Sequence, residues 1–275
     1  MYYKEFMFEQ FAVDLGNDYK KAYGHLAPEC GEFVKWMGRF AIEQIANSDM
    51  LYHDVEHTML VTLVGQQILL GKHLKEGGVK PQDWMHFMTA LLCHDIGYVR
   101  GACRGDVDGF YATGIGDEKI ELPAGCTDAA LTPYHVDRSK LFVAERFSGS
   151  MLVEFDAGRV CSYIELTRFP PPKDPAYNDT KGFAGLLRAA DFIGQLGDPD
   201  YLRKIPALFY EFEQIGSNEK IGYKTPGDMR AGYAGFFWNV VHPYIGDAIK
   251  YLRLTQKGKA WVDRLHDHVC EVEHF

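Results

Sequence analysis

A histidine and an aspartate stand side by side at the end of an apolar run, in the segment LLCHDIGYVRG (91–101). These residues, His94 and Asp95, precede a stretch rich in Gly and Asp. Ionisable side chains are costly to bury unless something binds them. Imidazole and carboxylate groups are common ligands of Zn, Fe, Mn and related ions, so a bound divalent metal ion would offset that cost.

Two further segments offer the same kinds of side chain. In YHDVEHTMLV (52–61), His53 and His57 are four residues apart and share a face if a helix starts early enough. In LLRAADFIGQLGDP (186–199), Asp191 interrupts an apolar helical run, where a lone carboxylate is expensive to bury. Three separate stretches thus bring His or Asp to an interior face, where one shared ion would bind them.

Each of these residues taken alone has a simpler explanation. A single His on a helix is usually a structural residue, and Asp191 has Arg188 three residues before it as an available ion-pair partner. The set is more specific than its members. His57 is followed after 37 residues by His94, and Asp95 is followed after 96 residues by Asp191, each in an apolar context.

The ordered set resembles the HD-domain superfamily of metal-dependent phosphohydrolases, whose defining motif is H…HD…D on a helical bundle. The resemblance covers roughly residues 50–200. It implies that His57, His94, Asp95 and Asp191 hold a divalent metal ion. The sequence does not distinguish among Mn, Mg, Zn, Fe, Ni and Co.

The segment YHDVEH is also similar to the Y-H-N-x-x-H segment of cyclic-nucleotide phosphodiesterases, which belong to the same superfamily. This likeness implies that His57 binds metal and that His53 donates a proton to the leaving group. The catalytic residues implied are therefore His53 and Asp95. Asp54 stands where the phosphodiesterases have Asn, so the match to that branch is incomplete.

The chemistry of such a site suits phosphoester hydrolysis. A bound divalent ion lowers the pKa of its water and stabilises the charge that develops on a phosphoryl group. A nearby imidazole, with an ordinary pKa of about 6.5, can protonate the departing alkoxide.

Some members of the superfamily hold a second metal with further His residues between the HD pair and the last Asp. In that interval the chain offers His135 as a candidate ligand, with Glu165 as a substitute where dinuclear members have another His. The sequence therefore leaves open whether the site holds one or two ions.

Substrate contacts are expected close to these residues. Many relatives follow HD with I-G-K or with an acid that activates water, whereas this chain has Tyr98 there. Arg138 and Lys140, which come within about one helical turn of His135, are the cations favoured for contact with a phosphate.

The apolar residues of most segments recur at helical spacing, and no strand alternation is convincing. Helices are expected over 31–46, 56–74, 82–98, 134–149, 157–167, 180–195, 199–214, 229–254 and 256–273. Residues 99–133 are rich in Gly and Asp and are predicted to form a long loop. We expect this loop at the mouth of the pocket, because loops of this length inside a compact domain usually have a function. The predicted fold class is all-α, an HD-domain helical bundle with additional C-terminal helices.

One domain over residues 1–275 is predicted, with the motif-bearing core at about 50–200 and a helical appendage at about 215–275. The net charge of −9 argues against a nucleic-acid polymer or an anionic membrane as partner. Six scattered cysteines, no secretory leader and no apolar run of membrane-spanning length favour a reduced cytoplasmic setting. A homo-oligomer is compatible with the sequence.

The leading hypothesis is a hydrolase that cleaves a phosphoester of a nucleotide or a similar small phosphorylated metabolite. One alternative is a di-iron HD-type oxygenase, which would need more His ligands than the chain offers in the expected positions. Another is a catalytically silent regulatory domain that binds a metabolite.

Overall fold

The computed structural model describes residues 2–107, 109–149 and 154–274. Regular structure in these residues is almost entirely helical, which confirms the all-α prediction. The α-helices are α1 (Tyr2–Tyr23), α2 (Pro28–Ile45), α3 (Val55–Glu76), α4 (Pro81–Cys93), α5 (His135–Phe147), α6 (Ala157–Glu165), α7 (Phe183–Leu196), α8 (Tyr201–Gln214), α9 (Ser217–Ile221), α10 (Pro226–Ala231), α11 (Tyr233–Phe236), α12 (His242–Leu252) and α13 (Gln256–His274).

The central helix is α4, which packs against α2, α3, α6 and α7. Its residues are buried on all sides, as the apolar composition of the segment predicts. The helix begins where Pro81 supplies a first residue that needs no N–H partner. It ends at Cys93, so the predicted helix over 82–98 is too long, and a 3₁₀ turn over Ile96–Tyr98 follows the HD pair.

Helices α3 and α7 cross closely because small residues line the contact. A Cβ atom added at Gly194 would lie 2.6 Å from Cα of Val61, and one added at Gly65 would lie 3.3 Å from Cβ of Ala190. Close approach of these helices brings the first turn of α3 towards the middle of α7. The two segments that carry His57 and Asp191 are therefore held together by the backbone packing itself.

The segment over 99–133, which was predicted to be a long loop, contains regular structure. It contains a small antiparallel hairpin of β1 (Phe110–Ala112) and β2 (Lys119–Glu121), in which Tyr111 pairs with Ile120. The strands are three residues each, too short for alternation of apolar and polar residues to be visible in the sequence. Asp108 lies outside the described residues.

The C-terminal part departs from the predicted helix over 229–254. It divides into α10, α11, a π-helical turn over Phe237–Val241, and α12. Pro243 stands at the start of α12, where its missing N–H interrupts the continuous hydrogen bonding of a longer helix. Helix α12 packs on α3 and α7, so this C-terminal part of the chain lies directly against two helices that carry the motif.

Two helices, α1 and α9, lie outside the ranges that the sequence predicts to be helical. The N-terminal segment, which carries charges throughout, forms α1 and packs along α2. Within the described ranges, no helix has the combination of length and apolar character needed to cross a membrane.

Candidate metal centre

The four residues of the H…HD…D set come together from three elements. His57 lies in the first turn of α3, whose start is fixed by the carboxylate of Asp54, which accepts hydrogen bonds from the backbone N–H of Glu56 and His57 at 2.9 and 3.1 Å. This capping role is a structural use for Asp54. His94 directly follows α4, Asp95 comes next, and α7 carries Asp191.

The ligand atoms of this set lie at separations that suit a shared ion. Oδ2 of Asp95 is 3.2 Å from Nε2 of His57 and 3.1 Å from Nε2 of His94. Oδ1 of Asp191 is 3.6 Å from each of the same two nitrogens. Ligands about 2.1 Å from one ion, at tetrahedral or octahedral angles, lie roughly 3.0–3.4 Å apart. The observed distances are close to that range.

Three of these atoms are buried and have no hydrogen-bond partner among the described residues: Nε2 of His57, Nε2 of His94 and Oδ2 of Asp95. Nδ1 of His94 donates a hydrogen bond to the carbonyl oxygen of Leu91 at 2.7 Å, so Nε2 is the nitrogen that would bind a metal ion. Metal-ligating imidazoles are commonly oriented in this way. The donor set and its unpartnered atoms therefore fit a divalent cation.

The charges of the cluster are strongly coupled. Burial lowers the pKa of His57, but Asp191 and Asp95 outweigh burial and raise the pKa to about 9. His94 behaves likewise, and its pKa lies well above the usual value. Burial opposes ionisation of Asp95 and Asp191, yet the two imidazoles hold the pKa of Asp95 well below its usual value and that of Asp191 at about 2. Two carboxylates thus stay ionised in a buried site and can neutralise a divalent cation.

His53 is held by a residue that the sequence analysis missed. Nδ1 of His53 lies 2.6 Å from Oε2 of Glu211 on α8, and Oε1 of Glu211 accepts hydrogen bonds from the backbone N–H of Tyr52 and His53. Burial lowers the pKa of His53, but the charge and hydrogen bond of Glu211 outweigh it and raise the pKa. A sequence signal existed, since Glu211 is an acid flanked by aromatic residues, as Asp191 is an acid among apolar ones.

Two groups of ligand atoms within 4.8 Å of one another occur in the described chain: His57, His94 and Asp191, and His53, His57 and Asp95. His135 belongs to neither group. Its ring instead stacks on Tyr98, with centroids 4.4 Å apart, and Nδ1 lies 2.6 Å from the carbonyl oxygen of Thr132. The other ring near Tyr98 is that of His53, at 5.1 Å.

The closeness of His135 to the HD pair depends on Gly97. A Cβ atom at Gly97 would collide with the carbonyl oxygen of His135, so only glycine allows the 3₁₀ turn to lie this close to α5. Ser139 on α5 completes the contact, since its hydroxyl donates to the carbonyl oxygen of His94 at 2.7 Å and accepts from the N–H of Gly97 at 2.9 Å.

Arg138 does not have the phosphate-binding role that the sequence suggested. Its guanidinium is fully buried and donates to the carboxylate of Asp106 and to the carbonyl oxygens of Gly97, Val99 and Ala112. These acceptors engage the guanidinium on all sides, so the side chain holds the 99–133 segment onto α5 and has no free donor for a substrate.

Lys140 and Glu165 are likewise engaged with each other. The ammonium of Lys140 pairs with Glu165 and lies 2.8 Å from Asp137, while Glu165 also binds Arg168 and the hydroxyl of Tyr177. Glu165 therefore does not substitute for a metal-binding His in this arrangement. Lys140 is half-buried in a network in which two carboxylates balance two cations.

A cavity of about 370 Å³ lies beside His135. Its wall includes His135, Arg168, Phe169, Ile215 and Lys220. Two of its wall residues contact neighbours of the cluster: His135 stacks on Tyr98, and Phe169 makes an edge-to-face contact with Phe192, the neighbour of Asp191. Arg168 and Lys220 are cations that the sequence analysis did not single out, because neither stands in a recognised motif.

Comparison with curated proteins gives no match. A family model described as Npun_R2479-like matches residues 1–275. Because the match extends over the whole sequence given, the chain belongs to the Npun_R2479-like family.

Proposed function

We propose that this protein is a metal-dependent phosphohydrolase of the HD type that cleaves a phosphoester of a nucleotide or a related small phosphorylated metabolite. The observation that carries the proposal is the convergence of Nε2 of His57, Nε2 of His94 and Oδ2 of Asp95, all buried and unpartnered within the described chain, with Asp191 beside them. Such atoms are costly to bury unless a cation binds them.

In the proposed site His57, His94, Asp95 and Asp191 hold the divalent cation. The chemistry that the cation supplies is activation of a water nucleophile and neutralisation of charge on the phosphoryl group. The side chain of Asp191 is 20% exposed, so Asp191 lies on the solvent side of the proposed site. His57, His94 and Asp95 lie on its buried side. This arrangement leaves one side of the site open to a substrate.

His53 is the proposed general acid. Glu211 holds the ring by its Nδ1 atom, so Nε2 is the nitrogen free to give a proton to the leaving oxygen. The carboxylate also favours the protonated imidazole, which is the form that an acid requires. Glu211 is a positioning residue, because it acts through His53 and not on the substrate.

The cavity beside His135 is the proposed place for the organic part of the substrate. Its wall combines apolar side chains, such as Phe169 and Ile215, with the cations Arg168 and Lys220. Because Arg168 is already paired with Asp137 and Glu165, the exposed Lys220 is the better candidate to contact an anionic group. A small, partly apolar phosphoester suits these surroundings.

The test combines elemental analysis of the purified protein with a phosphoester panel assayed in Mn, Mg, Zn, Fe, Ni and Co. We expect about one or two divalent ions per chain, and turnover that Asp95→Ala and Asp191→Asn abolish together with the bound metal. Asp200→Asn, at a half-exposed aspartate paired with Arg203, is the matched control and should retain both. Full activity in Asp95→Ala would defeat the proposal.

The same samples separate the alternatives. Oxygen consumption by iron-loaded protein, without phosphoester turnover, would favour the oxidative function. A metal-loaded protein that is inert across the panel would favour the silent regulatory domain.

A further inference from the structure

His135 has one ring nitrogen that the fold uses and one that it leaves free. Nδ1 donates a hydrogen bond to the carbonyl oxygen of Thr132 at 2.6 Å, and the ring stacks on Tyr98 with an angle of 6° between the two planes. These two contacts fix the orientation of the imidazole. Nε2 has no hydrogen-bond partner among the described residues and keeps some contact with solvent.

The free nitrogen of His135 is a hydrogen-bond acceptor near neutral pH. Burial lowers the pKa of this imidazole, although the charge of Asp95 opposes the effect. A neutral ring that carries its proton on Nδ1 has its lone pair on Nε2. Because His135 lines the cavity of about 370 Å³, the wall of that cavity offers an acceptor. An ionised phosphate oxygen is also an acceptor, so the matching ligand group is a hydroxyl or an N–H.

His135 and the proposed acid His53 are both neighbours of the same tyrosine. The ring centre of Tyr98 is 4.4 Å from that of His135 and 5.1 Å from that of His53, so the two imidazole centres are at most about 9.5 Å apart. The Nε2 atom of His53 is free as well, because Glu211 holds its Nδ1. If one ligand bridges the two rings, hydrogen bonds of about 2.8 Å at each end leave up to roughly 4 Å between its two oxygens.

We propose that His135 accepts a hydrogen bond from a substrate hydroxyl on the carbon next to the one that carries the phosphoester. The inference rests on the proposed function, because it takes the oxygen at His53 as the leaving oxygen. Oxygens on adjacent carbons fit the spacing between the two imidazoles, whereas the N–H groups of a nucleobase lie farther from the ester oxygen of its nucleotide. The substrate class that fits is a phosphoester of a vicinal diol, in a sugar or a polyol.

Two pairs of phosphoesters that differ by one hydroxyl provide the kinetic test. In the first pair, 3′-AMP is compared with its 2′-deoxy analogue. In the second, glycerol 3-phosphate is compared with 3-hydroxypropyl phosphate, which lacks the neighbouring hydroxyl. We expect kcat/KM to be about tenfold higher for the member with the hydroxyl, because the other member leaves the acceptor of His135 without its partner. The difference should appear mainly in KM, since the contact is made before the reaction begins.

Variants of His135 assign that preference to the imidazole. His135→Phe keeps a ring that can stack on Tyr98 and removes the acceptor, so the ratio of kcat/KM within a pair should fall from about ten to about one. His135→Gln, whose amide oxygen can reach the position of Nε2, should recover part of the ratio. His25→Phe, the same substitution at an exposed histidine, is the matched control and should keep the wild-type ratio. The metal content of His135→Phe should equal that of wild type, because His135 lies outside both groups of candidate ligands.

Binding of the dephosphorylated alcohols separates this inference from the hydrolase proposal. Adenosine is compared with 2′-deoxyadenosine, and glycerol with 1,3-propanediol, while the ¹⁵N resonance of Nε2 of His135 is followed in the purified protein. His135→Phe provides the assignment. We expect one vicinal diol to shift the resonance in a saturable way, with its deoxy partner about tenfold weaker. This preference without turnover of any phosphoester would support the role of His135 and defeat the hydrolase function.

Four results would overturn the inference. Hydrolysis with no preference for the hydroxyl would leave the hydrolase function in place and remove the role of His135. A preference that persists in His135→Phe would assign the hydroxyl to another residue. Loss of bound metal in His135→Phe would make His135 a ligand of a second ion. A resonance that none of the four alcohols moves would mean that Nε2 meets solvent alone.

Discussion

Nδ1 of His53 lies 2.6 Å from Oε2 of Glu211, although 158 residues separate them in the chain. The other carboxylate oxygen of Glu211 accepts hydrogen bonds from the backbone N–H groups of Tyr52 and His53, at 2.6 and 3.2 Å. One buried carboxylate on α8 thus fixes both the imidazole ring and the backbone that precedes α3. The contact ties the proposed acid to the helix that begins at the candidate metal centre.

The first prediction concerns this contact. Glu211→Gln should lower kcat by about 10-fold to 100-fold for substrates with poor alkyl leaving groups, because the ring loses its orientation and its stabilised protonated form. Nitrophenyl esters need little help from an acid and should lose much less. Metal content should stay unchanged, since Glu211 is not a proposed ligand.

Glu219→Gln is the control for the same type of substitution at an exposed position of α9. A loss that is equal for good and poor leaving groups would mean that Glu211 supports the fold of the site and not the proton transfer by His53. Rescue of the poor substrates by Glu211→Asp, but not by Gln, would support the positioning role.

The second prediction concerns removal of the metal ion. A ligand that binds only the folded protein stabilises it by about 2.7 kcal/mol when present at a hundred times its Kd. Chelation should therefore lower the thermal midpoint by on the order of 5 °C for a chain of this size. Scanning calorimetry with and without chelator measures the shift. The thermal midpoint of Asp191→Asn should not change when chelator is added. A wild-type midpoint that changes with neither chelator nor added metal would contradict the proposed metal site.

Much of the candidate metal centre was predictable from sequence because its members carry a local signal. His57, His94, Asp95 and Asp191 are ionisable residues in apolar surroundings, and each such residue must be paired or bound. Helical periodicity gave the elements that carry them, and the bounds of α3 and α7 differ from the predicted ones by only a few residues. The all-α fold class, and the expectation that these four residues come together, both follow from patterns visible over one or two helical turns.

What the sequence could not predict depends on long-range pairing. Arg138 and Glu165 were candidates for phosphate and metal contact, yet each is engaged by partners distant in the chain. Charge alone does not tell whether an arginine is bound by carbonyl oxygens or free, and those carbonyls lie in a segment without periodicity. The π-helical turn and the hairpin were missed for a related reason, since neither is long enough to leave a pattern.

The third prediction tests the role of Arg138. Arg138→Met should cost about 3 kcal/mol of unfolding free energy, because it leaves the carboxylate of Asp106, whose side chain is 1% exposed, without its buried cation. Denaturant unfolding measures the loss. Amide hydrogen exchange should become faster within 99–133, while α7 should keep its protection. Arg104→Met, at an exposed arginine of the same segment, should change stability by less than about 0.5 kcal/mol.

The fourth prediction concerns the pH dependence of stability at Glu165. Burial raises the pKa of Glu165, but Arg168, Lys140 and Tyr177 outweigh burial and hold the pKa at about 2. A carboxyl whose pKa is lower in the folded than in the unfolded chain stabilises the fold above its unfolded pKa, and the stabilisation is lost as pH falls through the folded value. The loss attributable to Glu165 therefore begins below about pH 5 and is complete below about pH 2.

The magnitude follows from the two pKa values. Between pH 7 and pH 3 the contribution of Glu165 should fall by about 2 kcal/mol, since its carboxyl is mostly protonated at pH 3 only in the unfolded chain. Other buried carboxylates, including Asp95 and Asp191, titrate in the same window, so wild-type protein alone does not isolate the effect. Glu165→Gln does, because its unfolding free energy should lie below that of wild type at pH 7 and approach it at pH 3. Parallel wild-type and variant curves across this range would show that Arg168 and Lys140 do not hold the carboxyl ionised.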